Sequence, residues 1–203
     1  MKIFFVRHGE SEANLLRVIS NRGRVHGLTN TGIEQARQLA GHFRDLPDLR
    51  IFSSPLLRAI QTAQLLAGEL KAPMIIIDAL REYDCGDLEG QSDQAAWEAH
   101  AALREAWLVR REWHLRRPGG ENFFDIRDRF VPFLHELLDQ DDPRPILMVG
   151  HGGTYMCILP LVLNNINFEE IYSLPFPNTG FVLAESTPEG LVCKEWCGII
   201  KDR

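Results

Sequence analysis

The chain has 203 residues, a formal net charge of −6 and a sequence pI of about 5.6. Hydrophobic residues make up 45% and charged residues 25%, which is typical of one globular domain with a substantial core. The acidic balance argues against broad binding of nucleic acid or of a membrane surface, so any basic site has to be local.

Short apolar runs alternate along the chain with stretches of helical periodicity. Four runs are too continuously apolar for half-exposed strands and predict buried ones, at residues 3–6, 50–54, 74–77 and 146–150. This alternation predicts an α/β fold, a three-layer α/β/α sandwich around a mostly parallel sheet. The tail predicts a hairpin of strands 180–186 and 190–197. We expect a single domain over residues 1–203.

Three stretches predict amphipathic helices between the strands. The first has Thr31 as its cap, with Glu34 three residues later in a capping box. The second has Ser54 as its cap and Pro55 at its first helical position. The third covers residues 122–139.

Residues 92–118 do not fit this alternation, because they form one long stretch rich in Trp, Ala and Arg. We interpret them as part of a lid-like helical insertion, at about 84–120, that lies over the active site. Between Trp97 and Arg117 five arginines outnumber three glutamates. Part of the insertion could therefore line a pocket and bind a second anionic or flat group of a substrate. The alternative is a helix whose tryptophans pack on the body and whose arginines are solvated.

The four cysteines, Cys85, Cys157, Cys193 and Cys197, do not have the spacing of a zinc site. We expect free thiols in a reducing compartment, and neither a metal nor a cofactor. Only four apolar residues follow Lys2, too few for a signal peptide, and no apolar run approaches the ~20 residues of a membrane span. These features predict a cytoplasmic protein.

Basic side chains follow the predicted strands. Arg7 and His8 come directly after the first strand, and His151 follows the strand at 146–150. Arg58 lies one turn into the helix after the second strand. Since ligands bind beyond the carboxyl ends of parallel strands, we expect these side chains to converge there. Two arginines and two histidines that converge at one site would repel each other unless an anion lay among them. A phosphoryl group has the charge and the oxygen atoms to bind there.

Five segments resemble, in this order, the histidine phosphatase superfamily, in its phosphoglycerate mutase-like branch: RHGESEAN, LTNTGIEQA, SSPLLRAIQTA, LREYDCGDLEG and VGHGG. The resemblance covers residue 3 to about residue 155. Arg-His-Gly alone is a weak motif, but five blocks in order are a specific signal.

The resemblance implies a role for each matching residue. His8 matches the nucleophile that becomes phosphohistidine, and Glu82 matches the proton donor. Four residues match those that bind the phosphoryl group: Arg7, Arg58, His151 and Asn14. These roles agree with the chemistry, because a neutral imidazole is a competent nucleophile near pH 7 and a leaving alkoxide needs a proton.

Two further residues are second-tier candidates. The loop at 17–29 is rich in arginine, but its register differs from that of many relatives, so we retain Arg24 as a residue that borders the mouth. Glu121 lies in GGEN, which resembles a GGES segment near the site in relatives.

We therefore expect a phosphomonoester hydrolase that acts on a small phosphorylated metabolite through a phosphohistidine intermediate. The chain is shorter than the cofactor-dependent mutases, and the segment after Glu82 looks like the phosphatase pattern. A phosphoglycerate mutase is the first alternative. A non-catalytic module that binds a phosphorylated ligand is the second, although such a module would be expected to lack His8 or Glu82. The physiological phosphoester and the oligomeric state stay open, with a homodimer among the options.

Overall fold

The computed structural model describes residues 1–140 and 142–201 of the chain. Within them, a seven-stranded sheet has the order β3-β2-β4-β1-β5-β6-β7. Neighbours among β1 to β4 pair in parallel, and β5 to β7 join antiparallel at the β1 side. The strands are β1 Lys2–Arg7, β2 Arg50–Ser53, β3 Met74–Ile76, β4 Ile146–Gly150, β5 Phe181–Thr187, β6 Gly190–Trp196 and β7 Ile199–Ile200.

Helices connect these strands and cover the sheet. They are α1 Glu12–Leu16, α2 Asn30–Ala40, α3 Leu57–Leu70, α4 Gln94–Leu108, α5 Phe123–Leu138, α6 Gly152–Val162 and α7 Phe168–Ile171. Short 3-10 turns occur at Gly41–Phe43, Asp78–Leu80 and Gly86–Leu88. No helix in the described ranges is long and apolar enough to cross a membrane.

Both faces of the sheet are buried at its central strands β1, β2 and β4, which explains why these strands are continuously apolar. The prediction of a buried strand at 74–77 is wrong, because β3 lies at the edge of the sheet, where Ile75 and Ile76 are 53% and 41% exposed. In β1, Ile3 and Phe5 pack into one core with α4, α5 and α6, whereas Phe4 and Val6 pack into a second core with α2 and α3. The predicted three-layer α/β/α architecture is confirmed. The tail hairpin is also confirmed, as β5 and β6 pair from Val182 to Gly190.

The helix starts differ from two of the predictions. The cap of α2 is Thr29, not Thr31, and its hydroxyl oxygen accepts from the Gly32 N–H at 3.0 Å. α3 has Leu56 at its N-cap and no side-chain cap, so Ser54 does not start this helix. The start of α5 agrees with the sequence, because Asn122 forms a capping box there.

The long helical stretch expected at 92–118 is shorter in the structure. Asp93 caps α4, and the helix ends at Leu108. The chain then reverses, with Arg111 in the left-handed region at a φ of 61°. The Trp107 indole N–H donates to the Leu115 carbonyl at 2.8 Å and ties the returning segment to the helix. α6, directly after His151, has no counterpart among the predicted helices.

Candidate active site

The ends of three neighbouring parallel strands form the floor of the site. β4 lies between β1 and β2, so the residues that follow these strands lie in one row: His8, His151 and Ser54. The His8 backbone N–H donates to the Gly150 carbonyl at 3.1 Å, and the two histidine ring centroids are 5.1 Å apart. The structure thus brings together side chains that are far apart in sequence.

Close backbone contact explains the glycine after His8. A Cβ on Gly9 would lie 2.6 Å from the Gly32 carbonyl oxygen at the start of α2. Neither Gly9 nor Gly152 has a positive φ. These two positions therefore do not require glycine for a left-handed backbone conformation. Gly9 instead lets the loop after β1 lie against α2.

His8 is buried, with 4% of its surface exposed. Its Nδ1 lies 2.7 Å from the Gly9 carbonyl oxygen, which can only accept, so the ring proton is on Nδ1. Nε2 then carries the lone pair and accepts from the Arg58 Nε–H at 3.0 Å. Burial, and next the charges of Arg58 and Arg7, lower the pKa of His8 well below 6.5. His8 is therefore neutral at pH 7.

Arg58, in the first turn of α3, joins both histidines. It donates to the Ser20 carbonyl at 2.8 Å, and its Nη2 lies 3.4 Å from His151 Nδ1. Burial lowers the pKa of Arg58 to about 10, so the guanidinium keeps its charge at pH 7. In the described part of the chain no carboxylate forms an ion pair with it. The site therefore suits an anion next to Arg58.

Arg7 and Asn14 complete the group expected to bind a phosphoryl group. Arg7 donates through Nη1 to the Phe176 carbonyl at 2.5 Å, and burial is the main cause of its lowered pKa. Asn14 Oδ1 accepts from the Ser11 N–H in the capping box of α1, in which Ser11 is the N-cap residue. The amide Nδ2 of Asn14 is consequently the group that can donate to a ligand.

His151 is fully buried, and burial and the Arg58 charge lower its pKa well below 6.5, so it is neutral and has one ring proton. Its Nε2 lies 2.7 Å from Ser54 Oγ, which also accepts from the Leu56 N–H at 3.2 Å. The Ser54 hydroxyl can therefore donate a hydrogen bond to Nε2. In that tautomer the single ring proton of His151 is on Nδ1. The other tautomer puts the proton on Nε2 and lets Nδ1 accept from Arg58. Because the Arg58 guanidinium can only donate, its contact with Nδ1 favours this second tautomer in the structure, and the first requires Arg58 to turn away from His151.

Glu82 is held at the N-terminus of α6. Its carboxylate accepts from the Gly153 and Thr154 N–H groups at 3.0 and 2.7 Å, and from the Thr154 hydroxyl at 2.9 Å. Helix N-termini favour negative groups of this kind. The carboxylate also lies near enough to Arg7 and Arg58 for its charge to act on both.

The two second-tier candidates lie elsewhere. Glu121 accepts from Arg81 and Arg129 and from the Asp84 backbone N–H, so it ties the segment after Glu82 to α5. It does not line the cavity that contains His8. Arg24 is exposed and does not line that cavity either.

The cavity has a volume of about 380 Å³. Five of the sequence-derived candidates line it: Arg7, His8, Asn14, Arg58 and Glu82. His151 lies directly behind, in contact with Arg58. Other lining residues were not singled out from the sequence, among them Asn21, Tyr83, His100, Tyr172 and Phe176. The sequence contained one signal that could have identified His100. Trp97, His100 and Arg104 repeat with helical spacing, and all three lie on the face of α4 that lines the cavity.

Within the described ranges, no group of three potential ligands is arranged to hold a metal ion. The four cysteines are free, three of them buried.

The sequence matches the model of the histidine phosphatase superfamily (branch 1) over residues 3–198. The chain belongs to this superfamily, and the resemblance noted in its motifs is confirmed. Its relatives include both phosphatases and mutases.

Among the relatives is a glucosyl-3-phosphoglycerate phosphatase of Mycolicibacterium vanbaalenii, 31% identical, with 80% of this chain and 74% of the relative covered. Another is a 2,3-bisphosphoglycerate-dependent phosphoglycerate mutase of Cytophaga hutchinsonii, 32% identical, with coverages of 83% and 80%. The α-ribazole phosphatase structure from Shigella flexneri matches with a TM-score of 0.79 and 25% identity over all of both chains. The names of these relatives differ in both substrate and reaction.

Proposed function

We propose that this protein hydrolyses the phosphomonoester of a small metabolite through a phosphohistidine on His8. The main support is the state of His8: a neutral imidazole whose Nδ1–H is fixed on the Gly9 carbonyl and whose Nε2 lies beside Arg58. A nucleophile in this state needs no base to activate it.

In the first step, the Nε2 lone pair attacks phosphorus and the bond from phosphorus to the alcohol oxygen breaks. Arg58 releases Nε2 and turns its N–H groups to the phosphoryl oxygens, beside Arg7 and the Asn14 amide. His151 adds a donor when Ser54 donates to its Nε2, since its own proton is then on Nδ1. These donors act on charge that develops in the transition state, where they are most effective.

Glu82 supplies the proton of the leaving alcohol. Arg7 and Arg58 keep their protons, and the single Nδ1 proton of His8 is held by Gly9. Glu82 is the carboxyl group among the cavity-lining residues. In the second step its carboxylate takes a proton from the water that attacks the phosphohistidine, so that phosphate leaves and His8 is restored.

Access of water favours hydrolysis over transfer to a second metabolite. Tyr172, which lines the cavity, is 45% exposed, and Asn14 is exposed as well. A mutase has to keep water away from its phosphohistidine until the second acceptor reacts. The cytoplasmic location and the absence of metal and cofactor stay predictions, and the oligomeric state stays open.

The test is turnover of p-nitrophenyl phosphate by the wild type and by His8→Ala. We expect His8→Ala to lower kcat by about 10³-fold or more, as loss of a nucleophile does. His135→Ala is the matched control, because His135 is exposed on α5 and does not line the cavity.

Nearly normal turnover by His8→Ala would contradict the proposal, and absence of turnover by the wild type would favour a binding module. Release of less phosphate than nitrophenol when 3-phosphoglycerate is added would indicate transfer to that acceptor and favour a mutase.

A further inference from the structure

The five arginines of the insertion have different surroundings. Four of them have partners outside the cavity: Arg110 pairs with Glu105 and Glu112, Arg116 with Asp125, Arg117 with Asp87, and Arg111 lies over the Phe168 ring. The fifth, Arg104, lines the cavity together with Arg7 and Arg58. Solvated arginines, the alternative left open by the sequence, therefore account for part of the insertion but not for Arg104.

Arg104 has no partner for its charge among the described residues. Its Nε is buried without a hydrogen bond, and no carboxylate pairs with its guanidinium. The charge of Arg104 also contributes to the lowered pKa values of Arg7 and His100, so it repels cations in the same cavity. A buried donor without an acceptor and an uncompensated charge are both costly.

The position of Arg104 is fixed by the core. Leu103 and Trp107, its neighbours on α4, are 3% and 0% exposed, and the Tyr83 hydroxyl lies 2.8 Å from His100 Nε2 on the same helix. The guanidinium is therefore carried on a packed helix and not on a mobile loop. Such a group is organised in advance for a ligand.

The charges of the cavity indicate what that ligand carries. Three guanidinium groups, Arg7, Arg58 and Arg104, line it, with Glu82 as the one carboxylate among the lining residues. A phosphomonoester dianion balances two of the three positive charges. Because Glu82 has to hold a proton when it acts as general acid, it balances none at that moment. One positive charge is then left for a second anionic group.

We propose that Arg104 binds a carboxylate on the alcohol part of the substrate, so that the enzyme selects phosphomonoesters of hydroxy acids over those of neutral alcohols. This inference rests on the proposed function for the reaction itself. It assigns Arg104 to substrate selection and gives it no part in the transfer of the phosphoryl group.

The test compares 3-phosphoglycerate with glycerol 3-phosphate, in which a hydroxymethyl group replaces the carboxylate. For the wild type we expect kcat/KM to be at least about tenfold higher for 3-phosphoglycerate, as one charge-assisted pair predicts. Arg104→Met should remove most of this preference, and Arg104→Lys should keep part of it. Arg110→Met, which removes an exposed arginine of the same insertion, is the control and should keep the full preference.

Binding to the His8→Ala variant, measured by calorimetry, separates this proposal from the proposed function. The affinity ratio of the two compounds should fall when Arg104→Met is added, whether or not the wild type turns over p-nitrophenyl phosphate. Equal affinity for both compounds, or equal losses on both after Arg104→Met and Arg104→Gln, would overturn the inference.

Discussion

At the scale of single residues, burial lowers the pKa of both kinds of basic side chain in the site, but with different consequences for their charge at pH 7. It lowers the pKa of His8 and His151 well below 6.5, which makes both imidazoles neutral at pH 7. It also lowers the pKa of Arg58, but only to about 10, so this group stays charged. One desolvated cavity can therefore hold a neutral nucleophile and a charged clamp at the same pH.

The role of Glu82 can be tested by the quality of the leaving group. Glu82→Gln should lower kcat/KM on an alkyl phosphate about 10²-fold more than on p-nitrophenyl phosphate, because nitrophenolate leaves without protonation. The measurement is a kinetic comparison of both substrates. Glu69→Gln is the control, since Glu69 is an exposed carboxylate on α3. Equal losses on both substrates would show that Glu82 does not protonate the leaving group.

At the scale of elements, the N-terminus of α6 sets the position of Glu82. The helix begins at Gly152, directly after His151, so its first turn faces the cavity. A Cβ on Gly153 would lie 2.8 Å from both Glu82 carboxylate oxygens and 2.5 Å from the Tyr83 ring. The carboxylate can reach the helix N-terminus only because this position lacks a side chain.

This contact predicts the effect of adding one methyl group. Gly153→Ala should displace Glu82 and lower kcat on alkyl phosphates by about tenfold or more, with a smaller effect on p-nitrophenyl phosphate.

The control is Gly68→Ala on the exposed side of α3, where a Cβ would meet nothing within 4 Å. It should keep full activity and raise the free energy of unfolding by about 0.5–1 kcal/mol. Unchanged alkyl phosphatase activity in folded Gly153→Ala would argue against the proposed placement of the proton donor.

At the scale of the whole molecule, the sequence predicted the structure best where a local residue pattern is compatible with only one type of element. The apolar runs at β1 and β4 predicted buried strands. The parallel sheet then predicted that the residues after these strands, His8 and His151, lie close together. The α2 cap was predicted at the wrong threonine, Thr31, because Thr29 and Thr31 both suit that role. Contact with Glu10 distinguishes Thr29, whose hydroxyl donates to the Glu10 carboxylate at 2.7 Å.

Features that depend on distant packing were not predictable in this way. The Arg7 guanidinium donates to Phe176, a residue 169 positions away. Ser54 fits the pattern of a helix cap, but it pairs with His151 across the strand ends. Residues 97–117 have an excess of arginine, but only the folded structure distinguishes Arg104, which lines the cavity, from four arginines with partners outside it.

The central claim is that the phosphoryl group passes through His8. The most direct test is a rapid quench in alkali during turnover of a ³²P-labelled phosphomonoester, followed by peptide mapping with mass spectrometry. We expect label on the peptide that contains His8, stable in alkali and lost in acid, and formed at least as fast as the steady-state turnover. Label on another residue, or label on His8 that forms more slowly than product, would contradict the account.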